Sequence, residues 1–142
     1  MRTIRSADLP FVPAGHEDPQ NPGVWKKVLL EKADLQAGHV QMVNWARLPV
    51  GNSFAPHYHQ DMQEVFVIVQ GVAEAVVGGE SVTLQRGDAI LIDPHEVHEM
   101  SNPGPDEVEY LTLGISRSTG GKTVVVDRDD GGADRARPRP RK

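Results

Sequence analysis

Between Gly51 and Gly71 the chain carries His57 and His59 as an H-Y-H triplet, with Glu64 five residues further on. Imidazole nitrogens and carboxylate oxygens are ligands for borderline and hard divalent ions. In an extended segment successive side chains alternate between faces, so His57 and His59 share one face, about 7 Å apart along the chain. The connection Gln60–Gln63 is short enough to reverse the chain and bring Glu64 back beside them. His98 follows the turn-like Asp93-Pro94 in a separate extended run and is the natural fourth ligand. An H-x-H pair alone is commonly a surface pair or a satisfied core pair, and it is the addition of Glu64 and His98 that points to an ion. Three imidazoles and one carboxylate suit one divalent transition metal per chain (Fe, Mn, Ni, Zn, Co or Cu) without choosing among them. In an octahedral ion this set leaves two positions for water, substrate or dioxygen, whereas a closed shell is the structural form. The ligands must be deprotonated, so affinity should fall as pH drops through the histidine range.

Such ligands need rigid elements to converge, and the sequence supplies strands. Runs rich in β-branched residues recur at Lys26–Lys32, His39–Leu48, Phe54–His59, Glu64–Gln70, Val72–Val77, Ser81–Leu84, Ala89–Ile92, Val97–Ser101, Val108–Ile115 and Thr123–Val126. Gly78-Gly79 reads as a two-residue hairpin turn and Arg86-Gly87-Asp88 as a second turn. Short strands at this spacing are the pattern of an all-β sandwich or barrel. No window shows sustained helical periodicity, so helix content should be low. The boundaries follow: an extended Pro-rich arm over residues 1–25, a β-barrel over 26–126, and a charged tail over 127–142, expected to be disordered.

Composition removes several function classes. The 142 residues are one domain's worth, and 38% hydrophobic content is enough for a core. There is no cysteine, which excludes a disulfide scaffold, a Cys-based zinc site, an iron–sulfur cluster and a thiol nucleophile. Residues 1–126 hold nine Lys and Arg against 16 Asp and Glu, so the body is acidic and unsuited to nucleic acid. No apolar run reaches the roughly 18 residues of a membrane span, and no apolar segment near the N-terminus reads as a secretory signal. A cytoplasmic location is the default expectation.

The complete string is Gly51, five residues, His57-x-His59, four residues, Glu64, six residues, Gly71; downstream come Gly87, His98 and Asn102. In this it resembles the cupin superfamily, and within it the small single-domain metal-binding cupins. The family's first motif, G-x5-H-x-H-x3–4-E-x6-G, is matched at every fixed position. Its second, G-x5-P-x-G-x2-H-x3-N, is matched at Gly87, His98 and Asn102. Asp93 stands where the family usually has Pro, with Pro94 one residue late, and His95 stands where it usually has Gly. The resemblance implies a double-stranded β-helix, a jelly-roll-like barrel of two antiparallel sheets with the metal inside near one mouth. It also implies a homodimer, with N-terminal segments packed across the interface. His95 is an alternative ligand or a rim or turn residue, while His16 and His39 have no matching partners and receive no metal role.

Because the fold hosts many chemistries, the pocket has to be read directly. If Glu64 faces inward, so do Phe66, Ile68 and Gln70, with Met100 beyond His98 and Phe54 or Ala55 beside His57. Core packing and pocket lining are both open to Phe54, Phe66, Ile68 and Met100. Tyr110 and Thr112 share a parity and either offer hydroxyls to the pocket or face out. No Lys or Arg is clearly placed inside: Arg47 is the basic residue near the first motif and Arg86 belongs to a turn. That disfavours a strongly anionic substrate, unless the metal itself binds the acid group. The leading expectation is a metal-dependent enzyme of dioxygenase, isomerase or lyase type acting on a small organic molecule. Its ion would serve as Lewis acid or as anchor for substrate or dioxygen, and Glu64 would stay a ligand or loosen to act as a base. A binding or sensing module without catalysis and a purely structural metal are the alternatives.

Overall fold

Alternating apolar and polar residues between Gly and Pro breakers can bury only one face of each strand, so the strands must pair into sheets that close on one another. The computed structural model describes residues 2, 4–35, 38–117 and 121–128, and shows this arrangement. The tail expected over 127–142 lies, beyond Arg128, outside the described residues. In chain order the strands are β1 (Val12–Pro13), β2 (Trp25–Glu31), β3 (Val40–Leu48), β4 (His57–His59), β5 (Met62–Gln70) and β6 (Val72–Val77). They continue as β7 (Glu80–Gln85), β8 (Ala89–Ile92), β9 (His98–Ser101), β10 (Val108–Ser116) and β11 (Thr123–Val125). Two single-turn 3₁₀ helices, Ser6–Asp8 and Lys32–Asp34, are the helical segments among the described residues. None is long and apolar enough to cross a membrane.

Six strands form one sheet in the order β1-β2-β3-β10-β5-β8, and five form the other in the order β11-β4-β9-β6-β7. All strand pairs are antiparallel. β10 alternates buried and half-buried positions along all nine of its residues, which orients every inward side chain of the larger sheet. The inner faces meet in a core that includes Leu48, Phe54, Ile68, Met100 and Val108, each at most 1% exposed. The hairpin at Gly78-Gly79 is present, with φ of +56° and +86°, the positive values that a primed turn demands.

The strands depart from expectation in three places. β4 starts at His57 because Pro56 has no N–H to give to a ladder; Phe54 precedes it in a loop, its own amide bonded to the Met100 carbonyl at 3.2 Å. Gln70 is exposed instead of inward, because the β5–β10 register shifts between Glu109 and Tyr110 and the strand leaves its alternation there. β1 is a two-residue strand containing Pro13, too short to leave a periodic signal.

The described part of the arm lies on the chain's own barrel. Val12 and Pro13 pair with Lys26 and Trp25, while the Phe11 ring lies under the Lys27 ammonium (4.8 Å) and the Arg47 guanidinium (4.3 Å). Where the arm passes the β3–β4 connection, a Cβ on Gly23 would lie 2.0 Å from the Ser53 carbonyl oxygen, so only glycine allows the approach. Asn102 staples the same end. Its Nδ2 donates to the Leu48 and Asp106 carbonyls at 2.9 Å each, and its Oδ1 accepts from the Gly104 amide at 2.8 Å.

Candidate metal centre

The candidate ligands come from both sheets. His57 and His59 lie on the inner face of β4, and His57 stands directly opposite His98 of β9. Glu64 reaches them from β5 of the facing sheet, so the site bridges the barrel. All four side chains are buried, and one ligand atom from each lies within 4.8 Å of the others. Glu64 Oε2 is 3.1 Å from Nε2 of His59 and 3.1 Å from Nε2 of His98.

The backbone fixes how each ring presents itself. His57 Nδ1 is 2.7 Å from the Ala55 carbonyl oxygen and His98 Nδ1 is 2.9 Å from that of Glu96. A carbonyl only accepts, so both Nδ1 atoms carry a hydrogen and both Nε2 atoms are turned to the centre. His59 Nδ1 is placed 3.1 Å from the Thr123 hydroxyl, again turning Nε2 inward. Although Glu64 Oε2 is close to both rings, its alignment suits a hydrogen bond with His98, and His59 Nε2 is buried without an aligned partner. A buried nitrogen left without a donor is what a cation at this point would satisfy.

The protonation states agree with that fit. Burial, followed by the neighbouring His16 and His98, holds the pKa of His57 well below its ordinary 6.5, so the ring is neutral and ready to ligate. Burial alone would push Glu64 up, but the close approach of His59 and His98 outweighs it and keeps the carboxyl low. The residues present therefore fit one divalent transition ion held by three nitrogens and a carboxylate.

The family model described as a cupin domain matches residues 44–114, half of the chain, and that stretch contains all four candidate ligands. The chain belongs to the cupin family. A curated relative, the oxalate-binding protein of Thermotoga maritima, is 30% identical over 67 residues. The match covers 47% of this chain and 55% of the relative, so this cupin spans about half the length of the curated relative it matches. Among solved structures, a predicted oxalate decarboxylase from Thermotoga maritima is similar with a TM-score of 0.72 and 24% identity, over 81% of this chain and 99% of that one. A sugar phosphate isomerase from Silicibacter pomeroyi is similar with a TM-score of 0.72 and 19% identity, over 90% of this chain and 83% of that one. At these identities the two structures share the fold with this cupin.

The structure brings together some residues that the sequence keeps apart. His16, on the arm, stacks on the His57 ring with centroids 4.0 Å apart and planes at 24°, and meets Phe54 edge-on at 5.5 Å. Glu17 Oε1 accepts from the Ala55 amide at 3.1 Å, bracing the residue whose carbonyl orients His57. The arm of this cupin thus walls the centre, although His16 stands outside the ligand cluster. Nothing in an aperiodic segment signals that contact. His95 is exposed and takes φ of +68°, the conformation glycine would adopt at that motif position, while its amide bonds the His59 carbonyl at 2.7 Å. It stands in a turn, outside the cluster of four candidate ligands. His39 is exposed, and Arg47 turns outward to Glu107 and Phe11.

Phe54, Phe66, Ile68, Met100 and Tyr110 all face inward and belong to the core cluster. Phe66 contacts the Tyr110 ring edge-on at 5.2 Å and lies 6.0 Å from the His98 ring; Phe54 lies 5.4 Å from His57. These aromatics form the apolar side of the centre, whereas Ile68 and Met100 pack among the core. Tyr110 and Thr112 both point inward, being 3% and 8% exposed. Burial, then the Glu64 and Glu17 carboxylates, push the Tyr110 phenol up, so its hydroxyl stays protonated.

Proposed function

We propose that this cupin is a metal-dependent enzyme acting on a small organic molecule. The observation that carries the proposal is the buried cluster of His57, His59, Glu64 and His98, with the Nε2 atoms of His57 and His98 turned inward by backbone carbonyls. Four protein ligands leave two positions of a six-coordinate ion for other molecules. When bound, the ion would supply Lewis-acid polarisation of a substrate oxygen or an anchor for dioxygen.

The chain's own residues do the rest. His57 and His98 are held rigid by the Ala55 and Glu96 carbonyls, so little reorganisation accompanies binding. Phe54 and Phe66 keep water from one side of the centre, which strengthens each polar contact there. Tyr110 keeps its proton and can donate a hydrogen bond to a developing negative oxygen. Glu64, ionised and close to two imidazoles, is a ligand that can take up a proton if its hold on the ion loosens.

The oxalate-binding relative favours a second reading, in which the metal is a hook for a small acid and no bond is broken. One experiment separates the two. Metal-loaded protein is screened with small oxygenated acids and sugar derivatives, with product analysis and oxygen uptake recorded side by side. The enzyme reading expects product from at least one compound, lost in Glu64→Gln. Saturable binding with no product from any bound compound would leave the hook reading in its place.

A further inference from the structure

Strand register assigns a cation to the inner face of the larger sheet, where side-chain alternation alone finds none. Lys26 of β2 stands opposite Ala46 of β3, Ala46 opposite Tyr110 of β10, and Tyr110 opposite Ile68 of β5. Residues directly opposite one another in antiparallel ladders share a face. Ala46, Tyr110 and Ile68 are all buried on the inner face, at 4%, 3% and 1% exposed, so Lys26 belongs to that face too. Its neighbour Lys27 stands opposite Trp45 on the outer side, where its ammonium reaches the Ser6 carbonyl and the Phe11 ring. Lys26, by contrast, is half-buried, and its ammonium has no hydrogen bond or ion pair with any described residue.

The adjacent row adds polar groups. Asn44 stands opposite Thr112, and Thr112 opposite Phe66, between the Lys26 row and the Glu64–Gly114 pair. Asn44 is 4% exposed and its Oδ1 has no partner. The inner face beside the metal centre therefore carries an unpaired ammonium, an unpaired amide oxygen and the protonated Tyr110 hydroxyl. Burial lowers the Lys26 pKa and the charge of the Glu64 carboxylate partly restores it. Glu64 is already committed to His59 and His98, so Lys26 lacks a counter-ion of its own. A half-buried charge without a partner is costly, and an anionic group on a bound ligand would offset that cost.

We propose that Lys26, in the same inward row as Tyr110 across Ala46, is the anion-recognising residue of this site. The ligand class is then a small organic acid that brings one oxygen-bearing group to the metal ligands and a second, anionic group to Lys26. This deepens the metal-centre reading and rests on it. It also reverses the expectation that an anionic substrate is disfavoured, because β2 turns inward the lysine whose neighbours face out.

The test uses full-length, manganese-loaded protein and titration calorimetry with malate and 2-hydroxyglutarate, each compared with the analogue amidated at its far carboxyl. Acid and amide share the chelating hydroxy acid and differ only in the distal charge. The wild type should bind at least one acid ten-fold or more tighter than its amide. Lys26→Gln should abolish the difference while keeping one manganese per chain, and Lys26→Arg should retain part of it. Equal affinity for acid and amide in the wild type, or a preference that persists in Lys26→Gln, would overturn the Lys26 assignment alone. Failure of every compound to bind the manganese-loaded wild type would overturn the metal-anchored reading and this assignment with it. The wild-type comparison decides the matter even if a variant folds poorly.

Discussion

Each imidazole of the centre already has a neighbour for its second nitrogen: the Ala55 carbonyl for His57, the Glu96 carbonyl for His98, the Thr123 hydroxyl for His59. The rings are thus oriented for ligation, and for His57 that has a pH signature in the metal-free protein. Buried His57 has its pKa held well below 6.5, chiefly by desolvation. Below pH 6.5 the unfolded chain takes up a proton before the folded chain does, so stability falls as the pH drops. Glu64 is likewise held below its ordinary 4.5, so a second loss sets in below that value. Thermal unfolding of the metal-free protein should therefore give a melting temperature that is level above about pH 7 and declines steadily toward pH 5. A melting temperature independent of pH across this range would contradict a buried neutral His57. Residue types and spacing made the four ligands legible in the sequence, since each belongs to a motif with fixed intervals. His16 and Lys26 were not legible. His16 lies in a segment with no period, and Lys26 has a second lysine beside it, so composition gives no hint of which one faces in.

At the scale of elements, nearly every strand follows from β-branched runs bounded by Gly and Pro, and the primed hairpin follows from Gly78-Gly79. The strand ends were less legible because they are set by tertiary contacts: Pro56 delays β4 and the shift near Tyr110 frees Gln70. The motif's closing Asn102 is a structural part of this cupin. It holds the Leu48 and Asp106 carbonyls and the Gly104 amide, and its own backbone bonds Gly51 and Asn52. Asn102→Ala would leave those buried groups without partners, at a cost of about 1–3 kcal/mol for a buried group deprived of its bond. Denaturant titration should show a midpoint shift of that order with an unchanged slope, while the four metal ligands, borne on other residues, still bind. A stability equal to wild type would show that the loops hold together without the staple.

For the whole molecule, the centre is where the two sheets are joined. Glu64 belongs to the six-stranded sheet and the three histidines to the five-stranded one. An ion bound only by the folded barrel therefore stabilises the whole chain, by about 2.7 kcal/mol at a free concentration 100 times its dissociation constant. The arm, β2 and the metal strands converge at this point: Gly23 meets Ser53, His16 meets His57, and Lys26 faces the interior. The convergence is a property of the closed barrel and is invisible in any one segment of the sequence. Elemental analysis of protein purified without an affinity tag tests the central claim most directly, run on the wild type and on His57→Ala and His98→Ala variants checked for folding by circular dichroism. The account predicts one divalent transition ion per chain in the wild type and loss of nearly all of it in both folded variants. A wild type that takes up no stoichiometric ion when one is supplied, or variants that keep it, would contradict the assignment of His57, His59, Glu64 and His98 as a metal centre.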